Sequence, residues 1–153
     1  MLKNLLQPEA KQEIVERINR LTPAAQRQWG KMNLNQMLYH CVTGFEIVYN
    51  DRPATPVKKP GWLAGKLIRF FILNTNMESP REKINIYHEM NVVEQNIDPK
   101  NFEEEKARLL DAVKAFPAKA TKNPHPFLGE FTTENWARLL YHHLDHHLKQ
   151  FGV

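Results

Sequence analysis

An all-α protein is the fold class this sequence predicts, more narrowly a four-helix bundle with one long crossover and an extra short helix. Three observations predict it. Four stretches repeat apolar residues at helical spacing, near residues 8–21, 34–49, 102–116 and 136–151. Proline and polar cap signals bound those stretches. Between the second and third lies an extended connection, which lets these two helices run in the same sense and gives the order up-down-down-up.

In the first helix, Pro8 suits the first turn, and Ile14, Val15, Ile18 and Leu21 recur on one face until Thr22-Pro23 interrupts. Trp29-Gly30-Lys31-Met32 leads to the second, where Asn33 and Gln36 have capping-box spacing. Its stripe is Leu34, Met37, Leu38, Cys41, Val42, Phe45, Val48 and Tyr49, ended by Asn50-Asp51 and then Pro53, Pro56 and Pro60. Residues 61–73 are apolar almost all round, with Trp62, Leu63, Leu67, Ile68, Phe70, Phe71, Ile72 and Leu73. The run is too short to span a membrane, which leaves a buried helix, an oligomer surface or an interfacial anchor. Burial or packing in a homodimer is the expectation. Residues 74–97 are expected as loop, with a brief strand at Lys83-Ile-Asn-Ile-Tyr87. Asp98-Pro99 predicts a cap and first-turn proline for the third long helix, whose inner face is Phe102, Leu109, Leu110, Val113 and Phe116. Glu103, Glu104 and Glu105 are expected outside. After Pro117, Asn123-Pro-His-Pro-Phe-Leu-Gly129 makes a rigid bend, and Thr132 or Thr133 caps the last helix.

With 153 residues, a single domain over 1–153 is expected, and 42% hydrophobic with 25% charged residues describes a soluble globule. Leu2, Leu5 and Leu6 are interrupted by polar residues and stopped by Pro8, so no leader is expected and the cytoplasm is the expected compartment. No membrane partner is expected either. Cys41 is the single cysteine, which excludes intrachain disulfides and cysteine-based zinc sites. The net charge of +4 is spread among acids rather than striped, so nucleic acid is not the expected partner.

Four of the seven histidines crowd into the last helix. At about 100° per residue, Trp136, Leu139, Leu140, Leu144, Leu148 and Phe151 form one stripe. His143 and His147 fall inside it, four apart and one turn above the other. His142 and His146 fall off its edge, and Gln150 shares the inner face. Two inward imidazoles must satisfy four ring nitrogens or lose about 1–3 kcal/mol for each left unmet. A divalent metal, which His-x-x-x-His spacing can grip, is one solution; a hydrogen-bonded core pair or a helix end suited to imidazole is the other. His143 is followed by Leu144, so the zinc-protease His-Glu signature is absent. His40 lies about 130° from the middle of its own stripe and reads as exposed, although Gly44 one turn on leaves room for an approach. Cys41 reads as a buried structural thiol. His125, between two prolines, reads as a loop histidine, with a place at the rim of a site as the alternative.

Met37-Leu-Tyr-His40 on the second long helix and His143-x-x-x-His147-x-x-Gln150 on the last resemble the DinB/YfiT-like superfamily of bacterial helical bundles. Gln28-Trp-Gly-Lys-Met-Asn33, His125-Pro-Phe-Leu-Gly129 and the stretch from Tyr141 to Gly152 look like a branch of it known only as a domain of unknown function. The resemblance implies that His40, His143 and His147 together hold a divalent ion such as zinc, nickel, iron or manganese, with water elsewhere. Only the resemblance selects His40. Three histidines with an open position are the arrangement of a catalytic site. The resemblance thus implies a metal-dependent enzyme acting on a small molecule, as a transferase or isomerase using a low-molecular-weight thiol or as a hydrolase. No general base is recognisable, which leaves His125, Tyr141, His146 and Gln150 as accessory candidates. The alternative is a non-catalytic binding or assembly module with a structural metal or histidine cluster.

Overall fold

The computed structural model describes residues 2–57, 60–75, 87–120, 124–126 and 128–153. Among them are five α-helices and no strand: α1 (Pro8–Arg20), α2 (Leu34–Val48), α3 (Trp62–Asn74), α4 (Phe102–Ala115) and α5 (Thr133–Gln150), with a 3-10 turn at His88–Met90 before α4. Residues 83–86 of the candidate strand lie outside the described residues, while Tyr87 makes an isolated bridge to Pro56. Asn123 and Phe127 of the predicted bend lie outside them too.

The helix ends follow local chemistry. Pro8 opens α1, where its missing N–H costs nothing. Asn33 and Gln36 form the reciprocal capping box of α2, and Thr132 forms another with Asn135 at α5. The start of α4 differs from the expectation. Asn101 is the cap, its side chain accepting from the Glu104 N–H, and the helix begins at Phe102 rather than at Pro99. Asp98 is committed elsewhere, to Lys100 and to the Asn33 carboxamide.

α1 packs on α4 and α5, and α2 packs on the same two helices. Between them the side chains of Ile14, Ile18, Met37, Leu38, Phe45, Leu109, Val113, Leu144 and Leu148 are fully buried. Each such side chain contributes about 1.5–3 kcal/mol by leaving water, which is why the stripes rather than intrinsic propensity hold the helices. One acid crosses inward. Glu105 is only 6% exposed, against the expected outer face. Both its oxygens accept from Arg108, which also reaches Glu46, and Glu46 in turn holds Arg52. A carboxylate enters this interior because it enters paired.

Helix α3 overturns the expectation of burial within the chain. Its one buried residue is Gly65, while Trp62 is 75% exposed and Leu63, Leu67, Ile68, Phe70 and Phe71 are exposed as well. One face docks against α5 through polar ties. Arg69 donates to the carbonyls of Leu128 and Glu130, and Arg138 of α5 donates to those of Ile72 and Thr75. No helix among the described residues is long and apolar enough to cross a membrane.

Candidate metal centre

His40 stands on α2 where the helical wheel alone reads solvent. The 3-10 turn packs over that flank, and the Met90 carbonyl lies 2.8 Å from His40 Nδ1. On the other side α5 comes close, because residue 44 is glycine: a Cβ there would meet His143 Cε1 at 3.3 Å and Nδ1 at 3.4 Å. The small residue noted in the sequence thus accommodates an imidazole from α5. His143 and His147 then stack one turn apart, as their spacing requires. Ring centroids are 4.9 Å apart for His40 and His143, 4.6 Å for His40 and His147, and 4.8 Å for His143 and His147. One ring nitrogen from each lies within 4.8 Å of the other two.

The partners fix which nitrogens face inward. A carbonyl only accepts, so His40 Nδ1 carries the proton toward Met90 and its Nε2 offers a lone pair. Gln150 donates through Nε2 to the Trp29 carbonyl at 2.9 Å, which turns its Oε1 toward His147 Nδ1, also at 2.9 Å. His147 therefore donates through Nδ1 and offers Nε2. His143 Nε2 sits 2.9 Å from His40 Nε2, a contact in which His143 supplies the single proton. Gly30 completes the support. It has a positive φ of 81°, and a Cβ at that position would collide with Gln150 Nε2.

All three rings are held neutral. Burial lowers His40 to about 4, with Met90 opposing and His146 assisting. Burial, then His40 and His146, hold His143 well below the usual histidine range. Burial, then His40 and His143, do the same to His147, while Gln150 opposes. Neutral imidazole is the form a metal takes. With metal–nitrogen bonds of about 2.0–2.1 Å, tetrahedral ligand nitrogens stand roughly 3.3 Å apart. The nitrogens of the group all lie within 4.8 Å of one another, with one pair from His40 and His143 at 2.9 Å, which is close to that spacing. The donor set of three neutral ring nitrogens fits a divalent ion. Among the described residues the group includes no carboxylate or thiolate. Cys41 points into the core with its Sγ 3.7 Å from Met37 Sδ, and burial raises its thiol so that it stays protonated.

The accessory candidates scatter. Gln150 touches the group, as described. His146 lies beside it, its ring 4.9 Å from that of His147 and 5.9 Å from that of Trp29. Tyr141 faces α1, where its hydroxyl donates to Glu13 at 3.4 Å and Lys3 lies over its ring. His125 is in a loop but not at a rim: it is 3% exposed, stacked on Trp136 and packed against Phe131. Its Nδ1 accepts from the Leu128 N–H at 3.3 Å, and its Nε2 donates to the Tyr87 hydroxyl at 3.0 Å. His142 is half-buried, with an Nε2 that has no hydrogen-bond partner among the described residues. Sequence reasoning missed Met90 and Trp29, which act through backbone carbonyls and so leave no side-chain signal. An open cavity of about 650 Å³ at the N-terminal ends of α2 and α4, lined by Arg27, Leu34, Lys100 and Phe151, has none of the three histidines in its wall.

Fold and site together define a protein whose described residues are helical and whose three-histidine group is able to hold a metal ion. The chain belongs to the DUF1569 family, described as a protein of unknown function, whose model matches residues 2–152. No curated protein and no solved structure matches the chain.

Proposed function

We propose that this protein is a divalent-metal-dependent enzyme acting on a small molecule in the cytoplasm. In this reading it is a DinB/YfiT-like four-helix bundle in which α1, α2, α4 and α5 run up-down-down-up, with α3 on the crossover. The observation that carries the reading is the convergence of His40, His143 and His147 with nitrogens facing one another. Those three side chains would hold the ion, whether zinc, nickel, iron or manganese. When bound, the ion supplies Lewis acidity, which polarises a substrate oxygen or favours the anionic form of a thiol. The Met90 carbonyl and Gln150 keep the His40 and His147 rings aimed. His146, whose ring lies 4.9 Å from that of His147, is the imidazole that would hold a proton near the group in this reading. The reaction class is transfer or isomerisation using a low-molecular-weight thiol, or hydrolysis.

Elemental analysis of untagged protein tests the ligand set. Wild type should carry about one ion per chain, and a His143→Ala/His147→Ala variant almost none; equal contents in both would sink the reading. A second reading is favoured by the direct contact of 2.9 Å between His40 and His143, which satisfies two nitrogens without any metal. It makes the protein a binding or assembly module built on a structural metal or histidine cluster. Metal removal then lowers the melting temperature sharply, and metal-loaded protein shows no turnover with thiol-transfer or ester substrates.

A further inference from the structure

We infer that the outer face of α3 is a docking surface for an anionic lipid membrane, on which the helix lies flat. The inference is independent of the metal reading. It departs from the sequence expectation of no membrane partner and of burial or homodimer packing for this run, and takes up the interfacial anchor that the sequence left as an alternative.

Two independent features point to this occupant. The first is the division of α3 into two faces. On one face Gly65 is buried, Ile72 packs against the core and Arg69 reaches the carbonyls of Leu128 and Glu130 just before α5. Trp62, Leu63, Leu67 and Phe70 are more than half exposed on the other side. These four recur at the three- and four-residue spacing of one helical face, and no described part of the chain covers them. Apolar patches of this kind on a soluble protein mark an interaction site. The helix has 13 residues, a length of about 20 Å against roughly 30 Å of hydrocarbon, so it suits the membrane interface and not the membrane interior.

The second is charge. Residues 52–77 contain Arg52, Lys58, Lys59, Lys66 and Arg69 and neither Asp nor Glu, a sum of +5. No other acid-free stretch of the sequence sums higher, residues 17–45 coming next at +4. Arg52 is paired with Glu46 and Arg69 is occupied by carbonyls, while Lys66 stays on the outer face with its ammonium 4.0 Å from the centre of the Trp62 ring. Tryptophan, phenylalanine and leucine with lysine among them is the composition of an interfacial helix attracted to anionic lipid. A second copy of the chain fits the same patch less well, because a two-fold pairing would set one cationic segment against another.

Sedimentation of the full chain with vesicles tests this, using phosphatidylcholine alone and phosphatidylcholine mixed with phosphatidylglycerol. Binding should be on the order of tenfold stronger to the anionic vesicles and should weaken with salt. It should fall by a similar factor for Trp62→Ala/Phe70→Ala and for Lys66→Glu. These side chains are exposed, and circular dichroism of each variant should match wild type. Wild type remaining in the supernatant with both vesicles, or variants sedimenting as well as wild type, overturns the inference. So does a dimer in analytical ultracentrifugation that the Trp62→Ala/Phe70→Ala variant dissociates, if vesicle binding is absent, since the occupant is then a second copy.

Discussion

His125 and the trio of His40, His143 and His147 are both enclosed groups of neutral imidazole, yet they use their nitrogens in opposite ways. Burial holds His125 and His40 alike near 4. Around His125, one nitrogen accepts from the Leu128 backbone and the other donates to Tyr87, with Trp136 stacked on the ring. Within the trio, Met90 and Gln150 occupy only the outer nitrogens of His40 and His147, and the inner ones meet. Burial is therefore no signature of a ligand. What sets the trio apart is that its inner nitrogens face one another, which makes the group able to hold an ion.

The sharpest way to break that comparison is to exchange the consequences of losing each group. His143→Ala/His147→Ala should abolish metal retention in equilibrium dialysis, whereas His125→Phe should retain about one ion per chain. Loss of metal from the His125 variant would erase the distinction. Acid should act next most strongly. In its folded site His125 binds fewer protons between about pH 4 and 6.5 than in the unfolded chain, so stability rises with pH across that window and is lost as pH falls through it. The loss from this one group is up to about 3 kcal/mol. Urea titrations of metal-free protein should show it, and His125→Phe should flatten the slope while costing about 1–3 kcal/mol at neutral pH. An unchanged slope would count against a neutral His125.

Smaller effects sharpen the account of support. Gln150→Ala frees the outer nitrogen of His147 and should weaken metal affinity by about 10–100-fold without removing a ligand. Gln150→Glu should recover much of that, and cobalt absorption spectra should distinguish the two; identical spectra and affinities would make Gln150 a bystander. Gly30→Ala places a methyl against the Gln150 carboxamide at a left-handed backbone position. It should cost about 1–2 kcal/mol in chemical denaturation and shift metal affinity in the same direction as Gln150→Ala, but less.

Much of the secondary structure was legible because its causes are local. Asn33 with Gln36, Pro8 and Thr132 act on residues within one turn, and the α2 and α5 stripes follow from periodicity. Misreadings arose where two segments compete. Asp98 is drawn to Asn33, 65 positions away, and Asn101 takes the cap. Glu105 is buried on α4 beside Arg108, whose guanidinium also binds Glu46 on α2. The apolar content of α3 was plain, but whether a neighbour would cover it was not, since coverage belongs to the neighbour.

The sequence by itself determined the helices that were expected at α1, α2 and α5, and it set His143 and His147 on one inward face, because a helix converts spacing into direction. Only the tertiary structure decided that His40 joins them, that Met90 and Gln150 choose their inward nitrogens, and that α3 keeps an open face. Those outcomes depend on which surfaces meet, and a helical wheel describes one surface at a time.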